Sequence, residues 1–523
     1  METIEEKKYP TGAVQKIIVV TAILSAVLEL IDSTIVNVAL REISGSIGAS
    51  TTEIAWLITS YAISNVIIIP LSGMLSTLFG RKRYFTFSIA LFTFASLMCG
   101  LSNSLWVLVA WRFVQGLGGG ALLSTAQTIL VDAFPPNKRG IGMAIFGMGI
   151  ALGPALGPVL GGVITDNYSW NWIFFVNLPL GTFAAIASWM YVTNQEGAKK
   201  KGPMDWWGIA FLVVGVGGLQ YILEEGNSKD WFESSEIIWF SIFSALGILA
   251  FIIRELSINN PAVNLSILKS PNLALGVLLN FVVGMVIFIS VYTFPLFTQI
   301  DLGWTATLSG MSLMPGSILT AAGMIIVQKA LQKGINPKSL VFSGFILTFI
   351  FAFWMHIQSP DSGWDSLLIP QLLRGFAVSL FMIPIINLAI QGLHGAALGQ
   401  GAGLSNMARQ LGGAVGIAIS NIRLTRVSAD FRDNLISHVT ELEQNAVNSI
   451  SNISNMFISN GMSADESQTA TYRLLEMSVW KQTTVLAYLD SFMVVGVVCL
   501  LALPFVFMMK HDKNTIDSDV SVH

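Results

Sequence analysis

Apolar runs of about twenty residues recur along almost the whole chain, separated by short polar stretches. Each run is long enough to cross a bilayer core of about 30 Å as a helix. The pattern therefore predicts an all-α integral membrane protein with fourteen spans. The approximate bounds of the predicted spans are 17–40, 54–76, 84–102, 105–128, 140–164, 172–193, 206–223, 236–254, 273–298, 307–328, 339–357, 366–390, 402–422 and 487–509.

The composition supports this class and argues against several others. Of 523 residues, 53% are hydrophobic and 11% are charged, whereas a typical soluble domain has about 25% charged residues. The net charge of −3, without a basic domain, gives no indication of nucleic-acid binding. The sequence contains neither a GxxxxGK phosphate loop nor a Cys/His cluster with metal-ligand spacing. We therefore expect no enzyme, no ATP-driven pump and no cofactor, and we expect contact with membrane lipid.

Basic residues indicate the orientation of the chain. Most of the 28 Lys and Arg residues lie in the two tails and the alternate loops, whereas the opposite short loops hold only Arg41 and Lys229. Lys and Arg accumulate in cytoplasmic loops. We therefore expect both termini to be cytoplasmic and the long loop 424–486 to be periplasmic.

Two pairs of segments repeat with an offset near 261 residues. WRFVQG in span 4 contains Arg112 and LLRGF in span 12 contains Arg374, while NKRGIGMA after span 4 corresponds to LGQGAGLS before span 13. The repeat predicts a six-helix bundle at 1–195, two additional spans at 196–260, and a second bundle at 261–510 with a cytoplasmic tail at 511–523. A duplicated bundle with a site between its halves is a common transporter plan.

Glycines recur at every fourth residue through span 5, and proline follows two of them. On a helix this spacing makes one face without side chains, which another backbone can approach closely. The prolines favour a bend. A tight helix contact alone and a bend and seal in a moving transporter both explain the pattern. The residues concerned are Gly149, Gly153, Pro154, Gly157, Pro158 and Gly161.

Ionisable side chains within predicted spans are the candidates for coupling chemistry, because each costs roughly 2.5–3.5 kcal/mol on insertion scales. Glu29 and Asp32 are three residues apart and share a face of span 1. They either form fixed ion pairs with Arg112 or Arg374, or take up and release protons. Our hypothesis is that Asp32 carries the proton, that Glu29 assists it, and that Arg112 adjusts it.

Other polar side chains within the spans are candidates for lining a substrate cavity, although interhelical hydrogen bonds explain them equally well. These are Gln115, Gln371, Arg374, Asn387 and Asn406. The long loop has apolar residues at steps of three or four from Val427 to Phe457, a pattern typical of an amphipathic helix. This helix either lies on the protein's own outer face or forms a docking surface for another protein.

Five sequence stretches, in order and at matching spacing, carry a resemblance to a known family. They are ELIDSTIVNVAL, GMLSTLFGRKR, WRFVQGLGGG, the glycine–proline run of span 5, and WNWIFFVNLPLG. The chain resembles the major facilitator superfamily and, within it, the fourteen-span drug:proton antiporters of the EmrB type. Three positions depart from the family pattern: Arg41 replaces a proline, Thr77 replaces an aspartate in the loop motif, and Ala144 replaces a glycine.

The resemblance implies a fold of two six-helix bundles plus two additional central helices. It implies proton-coupled export of amphipathic toxic molecules by alternating access, from a bacterial inner membrane. It also implies a periplasmic adaptor of the EmrA type that leads to an outer-membrane channel. The loop motif would control the conformational change through Gly73, Gly80, Arg81 and Lys82. A proton-coupled importer of a nutrient or siderophore and a non-transporting scaffold stay open as alternatives.

Overall fold

The computed structural model describes residues 9–135, 138–193, 204–258, 260–391, 393, 395–437 and 444–509. The predicted tail 511–523 and the predicted boundary at 195/196 lie outside these residues. Within them the chain is built from helices and contains no strand, which confirms the all-α prediction.

The long helices follow one another through the chain. The first eight are α1 (Gly12–Ile47), α2 (Trp56–Phe79), α3 (Arg81–Gly100), α4 (Leu105–Ala133), α5 (Arg139–Asn167), α6 (Trp172–Tyr191), α7 (Trp206–Glu225) and α8 (Ser235–Ser257). The others are α9 (Pro271–Asp301), α10 (Ala306–Gln332), α11 (Pro337–His356), α12 (Trp364–Ile390), α13 (Gly395–Ser437), α14 (Gln444–Ser459) and α15 (Ala464–Met508).

Fourteen of these helices form the membrane domain. Thirteen described segments are long and apolar enough to span a bilayer. The fourteenth span is α13, which is more polar but packs against α2, α9 and α15. Because α13 is largely covered by other helices, its polar side chains meet protein rather than lipid.

The helices pack as two similar bundles. In the N-terminal half, α1 packs on α5, and α4 packs on α2 and α3; in the C-terminal half, α9 packs on α13, and α12 packs on α10 and α11. The halves meet along two seams, α5 with α10 and α2 with α13. Apolar side chains of α7 and α8 share one cluster with residues of α2 and α13. The additional pair therefore covers one seam and leaves the other to the bundles themselves.

The glycine face of α5 packs against α1. A Cβ atom added at Gly149 would lie 3.1 Å from Val27 Cγ2, and one at Gly161 would lie 2.9 Å from the carbonyl oxygen of Ile35. The close approach of the two backbones thus requires the missing side chains. The interpretation as a tight helix contact is confirmed for α1 and α5, and α5 continues as a helix through both prolines. A role in sealing the transporter stays a prediction.

Residues 424–486 are organised differently from the expected surface helix. In the described residues the amphipathic pattern is helical and is divided between the end of α13 and α14, which packs on α15. Residues 438–443 of the pattern lie outside the described residues. At 1.5 Å per residue, the 43 residues of α13 span about 65 Å, about twice the bilayer core. The ion pairs Arg423–Asp490 and Arg432–Glu476 join the extensions of α13 and α15. We call the described part of 424–486 the outer arm.

We expect Gly157→Ala to destabilise the protein and reduce transport. The added Cβ would lie 2.9 Å from Thr34 Cβ and 3.1 Å from the carbonyl oxygen of Ile31, so α5 must move away from α1. Overpacking of this kind costs about 1–3 kcal/mol. The matched control is Gly45→Ala, on exposed helix with no atom within 4 Å of the new Cβ. Thermal unfolding in detergent and efflux measure both effects, and equal behaviour of the two variants would contradict the prediction.

Candidate functional site

A buried ion pair between α1 and α4 lies at the centre of the N-terminal half. Arg112 Nη1 donates to Asp32 Oδ2 at 2.6 Å, and the two side chains are 1% and 0% exposed. The guanidinium carbon of Arg112 lies 4.3 Å from the centre of the Tyr61 ring, a cation–π distance. The structure thus brings together two of the three residues predicted for proton coupling.

Amide side chains complete the coordination of the Asp32 carboxylate. Gln115 Nε2 donates to Asp32 Oδ1 at 2.9 Å, and Asn177 Nδ2 donates to the same oxygen at 2.8 Å. Gln115 Oε1 in turn accepts from Arg112 Nη1 at 2.8 Å. Gln115, which the sequence places in the substrate cavity, is therefore a member of the ion-pair network. Three donors hold Asp32 in one position.

Glu29, one helical turn before Asp32, is only half partnered. Its Oε1 accepts a hydrogen bond from Asn65 Nδ2 at 3.0 Å. Its Oε2 is buried without a hydrogen-bond partner among the described residues. Arg409, a buried residue of α13 in the opposite half, attracts the Glu29 carboxyl electrostatically. Glu29 therefore has one hydrogen-bond partner, within its own half, whereas three donors hold Asp32.

Side chains join α13 to α4, and close backbone contact joins α13 to α2. Asn406 Nδ2 donates across the halves to Ser124 Oγ at 3.2 Å and to Gln127 Oε1 at 3.0 Å. A Cβ atom at Gly73 would lie 3.0 Å from the backbone nitrogen of Gln400. Asn406 thus forms an interhelical bond, and Gly73 permits close contact between the two halves.

The arginine of the loop motif between α2 and α3 pairs with an acid outside the motif. Arg81 forms an ion pair with Asp132 at the end of α4. Thr77, at the position where the family has aspartate, donates to the carbonyl oxygen of Gly73 at 2.8 Å. Gly80 joins the helices at φ 86°, where glycine is favoured. Lys82 Nζ lies 5.3 Å from the centre of the Trp189 ring.

A small interior cavity lies between the halves, against α5, α9, α10 and α12. Its volume is about 40 Å³, and Arg374 and Pro154 are among its lining residues. Of the other predicted cavity residues, Asn387 bonds to Gln328 at 3.5 Å, and Gln371 is buried with neither side-chain polar atom bonded to any described residue. Of the five predicted cavity residues, Arg374 is the one that lines this cavity.

Several members of the site escaped the sequence reasoning. Asn65, Asn177 and Asp132 are polar side chains whose partners come from distant helices. Asn177 lies within the stretch WNWIFFVNLPLG, which was a signal that this residue has a role. Arg409 was recognisable as an ionisable residue within a span. Within the described part of the chain, no group of three or more His, Cys, Asp or Glu side chains is arranged to hold a metal ion.

Comparison with known proteins agrees with this architecture. The Major Facilitator Superfamily matches residues 22–417. The chain is 32% identical over 443 residues to the "Multidrug export protein EmrB" of Escherichia coli (strain K12), covering 84% of this chain and 86% of that protein. It is 31% identical over 488 residues to the "Fatty acid resistance protein FarB" of Neisseria gonorrhoeae, covering 93% and 94%.

Solved structures share the fold. The human organic anion transporter MFSD10 (TETRAN) matches with a TM-score of 0.55 at 14% identity, over 94% of this chain and 99% of that chain. A bacterial homologue of the human lysosomal transporter Spinster matches with a TM-score of 0.56 at 13% identity, over 96% and 100%. Both the sequence match, which covers well over half of the chain, and the shared fold lead to one conclusion: the chain belongs to the major facilitator superfamily.

Proposed function

We propose that this multi-pass membrane protein exports amphipathic toxic small molecules in exchange for protons by alternating access. The relatives named for multidrug export and fatty acid resistance support export. The distribution of basic residues supports cytoplasmic termini, and the resemblance to EmrB supports a bacterial inner membrane.

The observation that carries proton coupling is the unpartnered oxygen of Glu29. A buried carboxyl with one free oxygen can hold a proton there without breaking an existing bond. Arg409, which belongs to the other half, attracts this carboxyl electrostatically. If the halves separate, this attraction weakens, so the same motion that exposes the substrate site alters the proton affinity of Glu29.

The geometry supports different roles for the two carboxylates of α1. Asp32 accepts from Arg112, Gln115 and Asn177, so both of its oxygens are occupied by donors. Protonating Asp32 would disrupt the network around it. We therefore assign proton loading and release to Glu29, and the positioning of α1 and α4 to the Asp32–Arg112 pair. This exchanges the roles that the sequence suggested.

Protons supply enough free energy for export. Each proton that enters releases about 2.3 kcal/mol per 100 mV of potential and about 1.4 kcal/mol per pH unit. An importer would use the same proton gradient to move its substrate into the cell. The tight glycine contact of α5, which resembles the antiporter motif, favours exchange.

We expect Glu29→Gln to fold normally but to lose pH-driven transport, because glutamine keeps the hydrogen bond to Asn65 and cannot exchange a proton. The matched control is Glu233→Gln, an exposed residue in the short turn before α8. A drug-susceptibility panel in a pump-deleted host identifies a substrate. Proton release on adding that substrate to purified protein, and transport in proteoliposomes, then test the variants. Unchanged proton release in Glu29→Gln would place the proton site elsewhere.

We expect Asp32→Asn to lower stability, because it leaves the Arg112 guanidinium buried without its counterion. Breaking a buried pair from one side costs about 3–5 kcal/mol. The double variant Asp32→Asn/Arg112→Gln removes both charges and should recover part of this loss. Thermal unfolding of the two variants in detergent measures the difference. A stable Asp32→Asn variant without proton release would instead identify Asp32 as the proton carrier.

The outer arm is the proposed docking surface for a periplasmic adaptor of the EmrA type. A groove of about 1200 Å³ separates the arm from the end of α9, and it is lined by Asp301, Phe457, Arg473 and Trp480 among others. Its mixture of apolar and charged side chains suits contact with another protein. An adaptor bound here would lead substrate on to an outer-membrane channel.

We expect replacement of residues 432–476 by a short Gly/Ser linker to preserve transport in proteoliposomes and to abolish resistance in cells. The cut leaves the Arg423–Asp490 pair at the base of the arm, so the membrane domain should fold. Drug susceptibility of cells, compared with transport by the same purified variant, measures the effect. Full resistance in cells that carry the shortened protein would rule out the arm as the docking surface.

A further inference from the structure

Arg374 on α12 is a buried cation for which the described residues supply no counterion. It lines the interior cavity between the halves, and its Nε is buried without a hydrogen-bond partner. Across the described residues, neither a hydrogen bond nor an ion pair is found for this side chain. Arg112, by contrast, has Asp32 at 2.6 Å. An ionised side chain in this position is costly unless something pairs with it.

The other polar groups of the cavity are already in use. Ser290, Ser317 and Thr320 line it, but each donates its hydroxyl proton to a backbone carbonyl. Among the described lining side chains, Arg374 is therefore the one with hydrogen-bond donors that no protein group accepts. The remaining lining is mainly apolar and includes Val286, Ile287, Leu313, Val378 and Met382.

The internal repeat allows the surroundings of Arg374 to be compared with those of Arg112. Arg112 and Arg374 occupy corresponding positions on α4 and α12. Arg374 lies 262 residues after Arg112, and at that offset Glu29 and Asp32 align with Val291 and Phe294. At the offset of 261 that pairs Gly140 with Gly401, they align with Ser290 and Thr293. The N-terminal half thus has carboxylates on the helix that faces its arginine, whereas the C-terminal half has apolar or hydroxyl side chains at the corresponding positions. The C-terminal half has no carboxylate of its own at the corresponding positions.

We propose that Arg374 binds the anionic headgroup of an amphipathic substrate, such as a carboxylate, and that the substrate's charge replaces the missing acid. This names a substrate class for the transport site and rests on the proposed function. A guanidinium presents its donors in a fork that matches a planar carboxylate. The cavity of about 40 Å³ accommodates a headgroup beside the apolar side chains of α9, α10 and α12. The body of the substrate enters when the halves separate.

The charge of the substrate determines how transport responds to voltage. Exchange of one proton for one monoanion moves two positive charges inward per cycle, because the anion leaves as the proton enters. Exchange of one proton for one monocation moves none. With an anionic substrate, a potassium diffusion potential that is negative on the cytoplasmic side therefore accelerates export even without a pH gradient.

The test compares two probes with ten-carbon chains and opposite charges, decanoate and decyltrimethylammonium. Their binding is measured by calorimetric titration of the purified full-length protein in nanodiscs, with empty nanodiscs subtracted. Wild-type protein should bind decanoate. Arg374→Gln should weaken decanoate binding by about ten- to a hundred-fold, the range expected for a charge-assisted hydrogen bond, and leave decyltrimethylammonium unaffected. Arg374→Lys, which keeps the charge but loses the fork, should fall between them.

Thermal stability separates a ligand-binding role from a structural one. Because Arg374→Gln removes an unpaired buried charge, its Tm should equal or exceed that of the wild type without ligand. A lower Tm with equal weakening of both probes would show that Arg374 only supports the fold and would overturn the proposal. Binding of decyltrimethylammonium but not decanoate would overturn the anion site alone. Failure of wild-type protein to bind either probe, with no resistance in the drug panel, would overturn both the anion site and the proposed function.

Discussion

The ion pair between Asp32 and Arg112 constrains the rest of the N-terminal half. Two opposite charges at the centre of a membrane domain are stable only when they are paired and fully hydrogen-bonded. Gln115 and Asn177 supply the additional bonds, so α1, α4 and α6 must meet at this point. The glycines of α5 serve the same arrangement, because they let α5 pack closely on the helix that carries Asp32. Electrostatics and close backbone packing therefore fix α1 from two sides.

One turn along α1, the requirement is different. Glu29 accepts one hydrogen bond, from Asn65, and its other oxygen is buried without a partner among the described residues. A group that must gain and lose a proton cannot be bonded as completely as Asp32, since each bond would have to break in every cycle. The incomplete hydrogen bonding of Glu29 is thus compatible with exchange of a proton, whereas the complete hydrogen bonding of Asp32 is compatible with a fixed position.

The two halves share a helix arrangement but differ in their charges. The arginine of α4 has its acid within the protein, and the arginine of α12 does not. The additional helices α7 and α8 add a second asymmetry, because they cover the α2–α13 seam, while the cavity lies against α5 and α10. The scaffold therefore has one half in which the arginine is paired with an acid and one half in which the described residues leave the cavity arginine unpaired.

The sequence by itself determined the membrane class, the helical spans and the duplication, because hydrophobic length and internal similarity are properties of the chain alone. It also marked Glu29, Asp32 and Arg112 as costly residues that need partners. The tertiary structure decided which partners they have. Helical periodicity places a residue on a face but does not say which helix meets that face, so Gln115 was assigned to a cavity although it bonds to Asp32. For the same reason, the amphipathic pattern of residues 424–486 predicted helix, but only the packing of α13, α14 and α15 decided that the described part of them forms an arm.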